Sequence, residues 1–319
     1  MTSHVLISNL TNPTLLFFVL GIIATTVKSD LEIPSSTSKF LSLYLLFSIG
    51  FKGGQELAHS TLDLAIINQV LFGIGIAAVI PVYAFFILKR RMSIADAGAV
   101  AAAYGSVSAV TFVAAASFLE SQRIPFSGHM VAVMALMESP AIIVGVLLMR
   151  FYDPSKQEKT SLSSILTHSM TNSSVLMILG SLAIGAIADT KQAEGIKPFT
   201  TDIFKGFLAL FLLEMGMVTA KRISAFRRYG WFAFAFAIVM PLFNGIMIAW
   251  LSGYVTPEMG NRFIFAILAS SASYIAVPAA MRMIAPQADP GLYIPMALGV
   301  TFPFNLALGM PIYFSIVQN

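Results

Sequence analysis

The sequence predicts an all-α polytopic membrane protein with ten transmembrane helices, arranged as two inverted five-helix repeats. Three observations lead there. First, 57% of the residues are hydrophobic and 11% are charged, with a mean hydropathy of +0.82; an ordinary soluble domain carries about 25% charged residues. Second, the apolar residues form runs of about twenty, the length that crosses a bilayer as a helix. A membrane barrel would instead alternate over segments of about ten. Third, landmarks in one half of the chain recur in the same order in the other.

Five segments are expected in the first half, over 13–27, 40–55, 66–88, 94–118 and 129–151. A polar linker, DPSKQEKTSLSS, follows and is read as cytoplasmic. The second half gives 169–188, 204–221, 231–251, 262–284 and 292–317. The expected units are a first repeat over 1–151, the linker over 152–165 and a second repeat over 166–319. These segments use up the chain and leave no room for a separate soluble domain. The opening MTSHVLISNL lacks a basic start and is not read as a cleaved signal. There is no cysteine, so disulfide and thiol chemistry are excluded.

Positive charge orients the segments. With the N-terminus outside, thirteen Lys and Arg fall in inner loops, among them Lys39, Lys89, Arg90, Arg91, Lys221 and Arg222, and six fall outside. Both termini are therefore expected on the outer, periplasmic face.

The repeat is read from spacing. Pro34 and Phe40 fall on Pro198 and Phe204 at an offset of 164, and Gly50 on Gly216 at 166. Ser106 falls on Ser273 and Thr111 on Pro278 at 167, and Pro140 on Pro303 at 163. Five segments per half make the second half inverted. Two apolar segments are interrupted at equivalent places, by AAAYGSVSAVT (101–111) and ASSASYIAVP (269–278). Paired interruptions in inverted repeats point to a transporter with a site near the midplane. A helix broken in mid-membrane exposes N–H donors at the start of its second half, which suit an anion, and carbonyls at the end of its first, which suit a cation. The hydroxyls of Ser106, Ser108, Thr111, Ser270, Ser271 and Ser273 add ligands for either. Small residues also let membrane helices approach closely, but recurrence at equivalent positions favours a site.

Intramembrane acids are costly and usually functional. Glu138, deep in the fifth segment before Pro140, is the leading candidate, as a ligand for sodium or a proton. Glu214 reads equally as a site residue or a helix–helix contact. Asp96 beside Ser93 reads as a helix-capping acid. Asn305, at the counterpart of the Glu138 region, is a candidate site member; Asn244 reads as a helix–helix hydrogen bond. Four histidines (His4, His59, His129 and His168) lack metal spacing and read as interfacial. No transition-metal, Walker, HExxH, GxSxG or nucleic-acid motif occurs, so an enzyme or nucleic-acid binder is not expected.

LLFSIGFKGG, YGSVSAVTFVAA, MESPAI, LLEMGM and ASSASYIAVPAA, in that order, resemble the sodium-dependent bicarbonate transporter family over nearly the full length. The resemblance implies a moving core domain and a static gate domain, with the interrupted fourth and ninth helices crossing at the midplane. It also implies a homotrimer in the bacterial inner membrane and an elevator-type movement, with sodium as coupling ion and no organic cofactor. The anion is then expected at Gly105, Ser106, Ser108, Thr111, Ser271, Ser273 and Tyr274. Sodium is expected at Glu138, Ser270, Ser271 and Asn305. The cyanobacterial members carry an acid where Ser273 and Tyr274 stand, so any difference in cargo is expected there. They also bind a small PII-like regulator on the cytoplasmic face, which the short linker here argues against. The expected function is symport of sodium with a small monovalent anion, most simply bicarbonate. Alternatives left open are a sodium- or proton-coupled carrier of a small organic acid, and a membrane sensor that keeps the fold without transporting.

Overall fold

The computed structural model describes residues 11–58, 63–153, 167, 171–226 and 230–318, and its regular elements among them are helices. The linker beyond Asp153, and with it His4, His59 and His168, lies outside the described residues. The first half holds α1 (Pro13–Thr26), α2 (Ser35–Ala58), α3 (Leu64–Leu88), α4 (Ile94–Gly105), α5 (Ala109–Ser121) and α6 (His129–Tyr152). The second holds α7 (Ser173–Ile187), α8 (Thr190–Lys197), α9 (Phe204–Phe226), α10 (Gly230–Leu251), α11 (Met259–Ser270) and α12 (Ala276–Ile284). A last helical span, α13 (Pro290–Val317), includes π-helical turns over Pro295–Thr301 and Asn305–Gly309.

Local chemistry starts these helices where the sequence places them. Asn12 Oδ1 accepts from the Thr14 N–H at 3.0 Å, with Pro13 in the first helical position of α1. Asp63 caps α3 by accepting from the Ile66 N–H at 2.9 Å. Ser93 accepts from the Asp96 N–H and donates to Asp96 Oδ2 at 2.7 Å, a reciprocal cap for α4. Asp96 Oδ1 also accepts from the Asp289 N–H at 2.8 Å and so fixes the start of α13 beside α4.

Among the described residues, six helical spans are long and apolar enough to cross a membrane: Leu64–Leu88, Ile94–Ser121, His129–Tyr152, Thr190–Arg222, Gly230–Tyr254 and Pro290–Val317. Burial sorts them. Leu71, Val79, Val82 and Phe86 on α3, and Val239, Phe243, Ile246 and Trp250 on α10, form exposed apolar stripes at helical spacing that suit lipid. The Ile94–Ser121 span is 89% buried over its apolar window, against 39% for Leu64–Leu88. The interrupted span is therefore the interior one.

Backbone-close packing joins the two halves crosswise. Helix α1 packs on α9, and α2 packs on α7. A Cβ on Gly21 would run into the Leu213 carbonyl, and one on Gly216 into that of Phe18. Gly54 meets the Leu182 carbonyl and Gly185 that of Phe51 in the same manner. Glycine at these contacts lets the helices touch main chain to main chain, the usual cohesion where lipid supplies no hydrophobic drive between helices.

Two expectations change. Helix α8 and the π-turn Pro198–Asp202 extend the connection before α9, where no helix was expected. His129, the first residue of α6, is covered rather than open to water: it is 5% exposed and its Nε2 lies 3.0 Å from Gln69 Oε1. Its place at a helix end suggested water, but the neighbouring α3 covers it.

Candidate functional site

Helix α4 stops at Gly105, the chain runs extended through Ser106 and Ser108, and α5 begins at Ala109. Gly105 is where α3 presses in, since a Cβ there would overlap the ring of Pro81. The second break repeats the device: α11 stops at Ser270 and α12 begins at Ala276. Ser106 (φ −81°, ψ 176°) and Ser271 (φ −80°, ψ 169°) end their helices in the same conformation. The offset is thus 165 at the helix ends (271 less 106) and 167 at the restarts (276 less 109). The second break is two residues longer, and the structural counterpart of Ser106 is Ser271, not Ser273. The offset of 167 holds at the restarts and not at the helix ends.

The two breaks are tied to each other. The Ser273 N–H donates to the Ala103 carbonyl at 2.8 Å, and the Ser108 N–H donates to Ser271 Oγ at 3.0 Å. At each restart a serine hydroxyl accepts from a first-turn N–H. Ser108 Oγ accepts from the Thr111 N–H at 3.1 Å, and Ser273 Oγ from the Val277 N–H at 3.3 Å. Neighbouring helices take up the freed carbonyls of α11. Asn305 Nδ2 donates to the Ser270 carbonyl at 2.8 Å, and Asn244 Nδ2 donates to that of Ala269 at 3.1 Å. Tyr313 donates to Asn305 Oδ1 at 3.3 Å and Tyr83 to Asn244 Oδ1 at 2.6 Å. Non-helical backbone survives at membrane depth because it is re-satisfied in this way.

Beside the crossing lies a cavity of about 30 Å³ whose wall includes Val107, Ser108, Glu138, Ser174, Ser273 and Tyr274. One ordered water needs about 10–15 Å³ measured the same way, so the space suits a small, largely dehydrated ion. Ala109 and Ala276, the first residues of α5 and α12, also line it. Both half-helices therefore start at one cavity, with unmatched N–H groups and positive dipole ends at hand. Glu138 supplies the opposite charge. It is 8% exposed and makes no hydrogen bond or ion pair to a described residue. The Tyr274 hydroxyl is buried without a partner of good geometry among the described residues, although Ser108 is the hydroxyl it faces.

The structure thus brings together Ser108, Glu138, Ser273 and Tyr274 on one cavity. Ser271 stands one hydrogen bond behind Ser108. Gly105, Ser106, Thr111, Ser270 and Asn305 belong to the breaks and their supports but do not form the cavity wall. Ser106 Oγ is fully buried and has no partner among the described residues. Ser174 was not among the expected residues. It lies at the start of α7, outside either interruption, and carried no signal beyond an Asn-Ser-Ser start. The role of Asn244 as partner to the carbonyl of a broken helix is more specific than the helix–helix contact expected of it.

Long apolar helices, one of them broken in the interior, and a polar cavity at the break define a multi-pass membrane protein of transporter type. The chain belongs to the Na+-dependent bicarbonate transporter superfamily, whose family model matches residues 13–318. It is accordingly a sodium-dependent transporter and not an enzyme. A search of curated proteins found no match to the chain.

Proposed function

We propose that the protein carries sodium and a small monovalent anion, bicarbonate, in the same direction across the bacterial inner membrane. The observation that carries this reading is the shared cavity, where two half-helix starts meet Glu138, which has no ion-pair partner among the described residues. The half-helix starts favour an anion and Glu138 opposes one. At roughly 5 Å and an effective dielectric near 20, that repulsion is about 3 kcal/mol. A sodium ion on Glu138 cancels it, so the anion binds well only after sodium. Sodium is held by Glu138 at the cavity, with Ser270 and Ser271 at the end of α11 and Asn305 of α13 supporting the break behind it. The anion is held by the N–H groups and hydroxyls at Ser108, Ser273 and Tyr274, with Gly105, Ser106, Thr111 and Ser271 shaping the breaks behind them.

Movement follows an elevator scheme in a homotrimer, with the two broken spans in the moving core and both termini periplasmic. Two features support an inverted repeat beneath it. Helices α4 and α11 have the same length, twelve residues each. The first helix of each half packs on the second spanning helix of the other half.

The test is uptake by reconstituted vesicles. Labelled bicarbonate should accumulate under an inward sodium gradient and not under a matched choline gradient. Uptake driven equally by a proton gradient without sodium would transfer the coupling to protons, and no uptake of bicarbonate or small carboxylates under any gradient would overturn the carrier reading.

A further inference from the structure

Glu214 lies within α9 and takes no part in the site above. It is 8% exposed, and its Oε2 is buried without a hydrogen-bond partner among the described residues. An unmatched carboxylate oxygen at membrane depth is expensive to keep and marks function more often than packing. Glu214 borders a second cavity of about 390 Å³, on whose wall Ser38, Lys39, Ser42, Ser174 and Tyr274 also stand. Ser38 and Ser42 are one turn apart on the same face of α2, and Ser38 faces the carboxylate. Lys39 is on the wall but forms no ion pair with Glu214 among the described residues. Ser174 and Tyr274 line this cavity and the Glu138 cavity alike. The two spaces therefore share a wall, one roomy and one tight.

We propose that Glu214, with the hydroxyls of Ser38 and Ser42, forms a second sodium site in the larger cavity, separated from the Glu138 cavity by Tyr274. A carboxylate among neutral oxygens is the donor set a hard cation takes. The cavity leaves room for the ion to keep part of its water. A cation held there stands next to the anion cavity without occupying it, and so adds to the charge that draws the anion in. The proposal extends the sodium-coupled reading of the Glu138 cavity, and the following experiment separates the two.

Purified full-length protein is unfolded thermally over a sodium chloride series without bicarbonate, with choline chloride holding ionic strength constant. Glu214→Gln should raise the half-saturating sodium concentration by about threefold or more while the protein stays monodisperse. Ser38→Ala should shift it the same way by less. Glu138→Gln should keep a residual sodium response, and the double Glu138→Gln, Glu214→Gln variant should lose it. Sodium curves for Glu214→Gln and Ser38→Ala that superimpose on the parent would overturn the second site. If Glu214→Gln does not fold, Ser38→Ala with Ser42→Ala decides by the same criterion. Loss of all response in Glu138→Gln alone removes the second site and leaves the first. An unchanged Glu138→Gln beside an impaired Glu214→Gln does the reverse.

Discussion

Glu138 stands on a tight cavity with 8% exposure and no described side chain to neutralise it. A carboxylate so placed needs a cation from solution, which is why its charge and not its volume should matter. Glu138→Gln is expected to fold and to raise the sodium requirement for uptake by about tenfold or more, which amounts to at least ~1.4 kcal/mol. An unchanged sodium dependence would return Glu138 to a packing role. Ser273 accepts from a first-turn N–H of α12 and borders the same cavity. Ser273→Ala should cost about 1 kcal/mol of stability and raise the anion KM by about tenfold, the loss of one hydrogen bond to a charged group. Kinetics unchanged from the parent would move the anion elsewhere. These residues were legible in the sequence because an acid or a run of hydroxyls is costly inside an apolar segment and is seldom kept there without a ligand to bind. Ser174 was not legible. It reaches the cavity from another helix, and no local pattern encodes which distant helix start will pack against a break.

Two kinds of element hold the site. One is the pair of interrupted spans, whose breaks share backbone hydrogen bonds; the other is the crosswise pair of glycine contacts, α1 on α9 and α2 on α7. Asn244 serves the first kind. Asn244→Ala leaves the Ala269 carbonyl and the Tyr83 hydroxyl unmatched and should lower stability by about 1–3 kcal/mol, read as a fall in the melting temperature of the purified protein. Asn244→Asp, which keeps the acceptor for Tyr83 but loses the donor, should recover only part of it. Gly54 serves the second kind. Gly54→Leu forces α2 away from the Leu182 backbone, and overpacking of at least about 1–3 kcal/mol should appear as loss of monodisperse protein on size exclusion; a normal elution profile and melting temperature would contradict the packing. Helix limits were legible to within a few residues, since Asn12, Asp63 and Ser93 cap where polar residues meet apolar runs. The breaks were legible as polar interruptions but not in length. Sequence matching at 167 hid the two extra residues of the second break, because Ser271 and Ser273 are chemically alike and only the backbone tells them apart. Helix α8 was missed because its composition is that of a polar loop.

At the scale of the molecule, the broken spans are buried within a layer of lipid-facing helices, and the polar cavities lie beside them. Composition made the membrane class legible, and the ordered motifs made the family legible. That both half-helices start beside the same carboxylate could not be read from the chain, because it depends on how distant segments pack. That juxtaposition is the centre of the account, and bicarbonate binding with and without sodium tests it most directly. Titration calorimetry on the purified protein should show bicarbonate binding at least about tenfold tighter in saturating sodium than in choline, and Glu138→Gln should lose most of that sodium dependence. Equal bicarbonate affinity in sodium and choline for the parent protein would contradict the coupling assigned to this cavity.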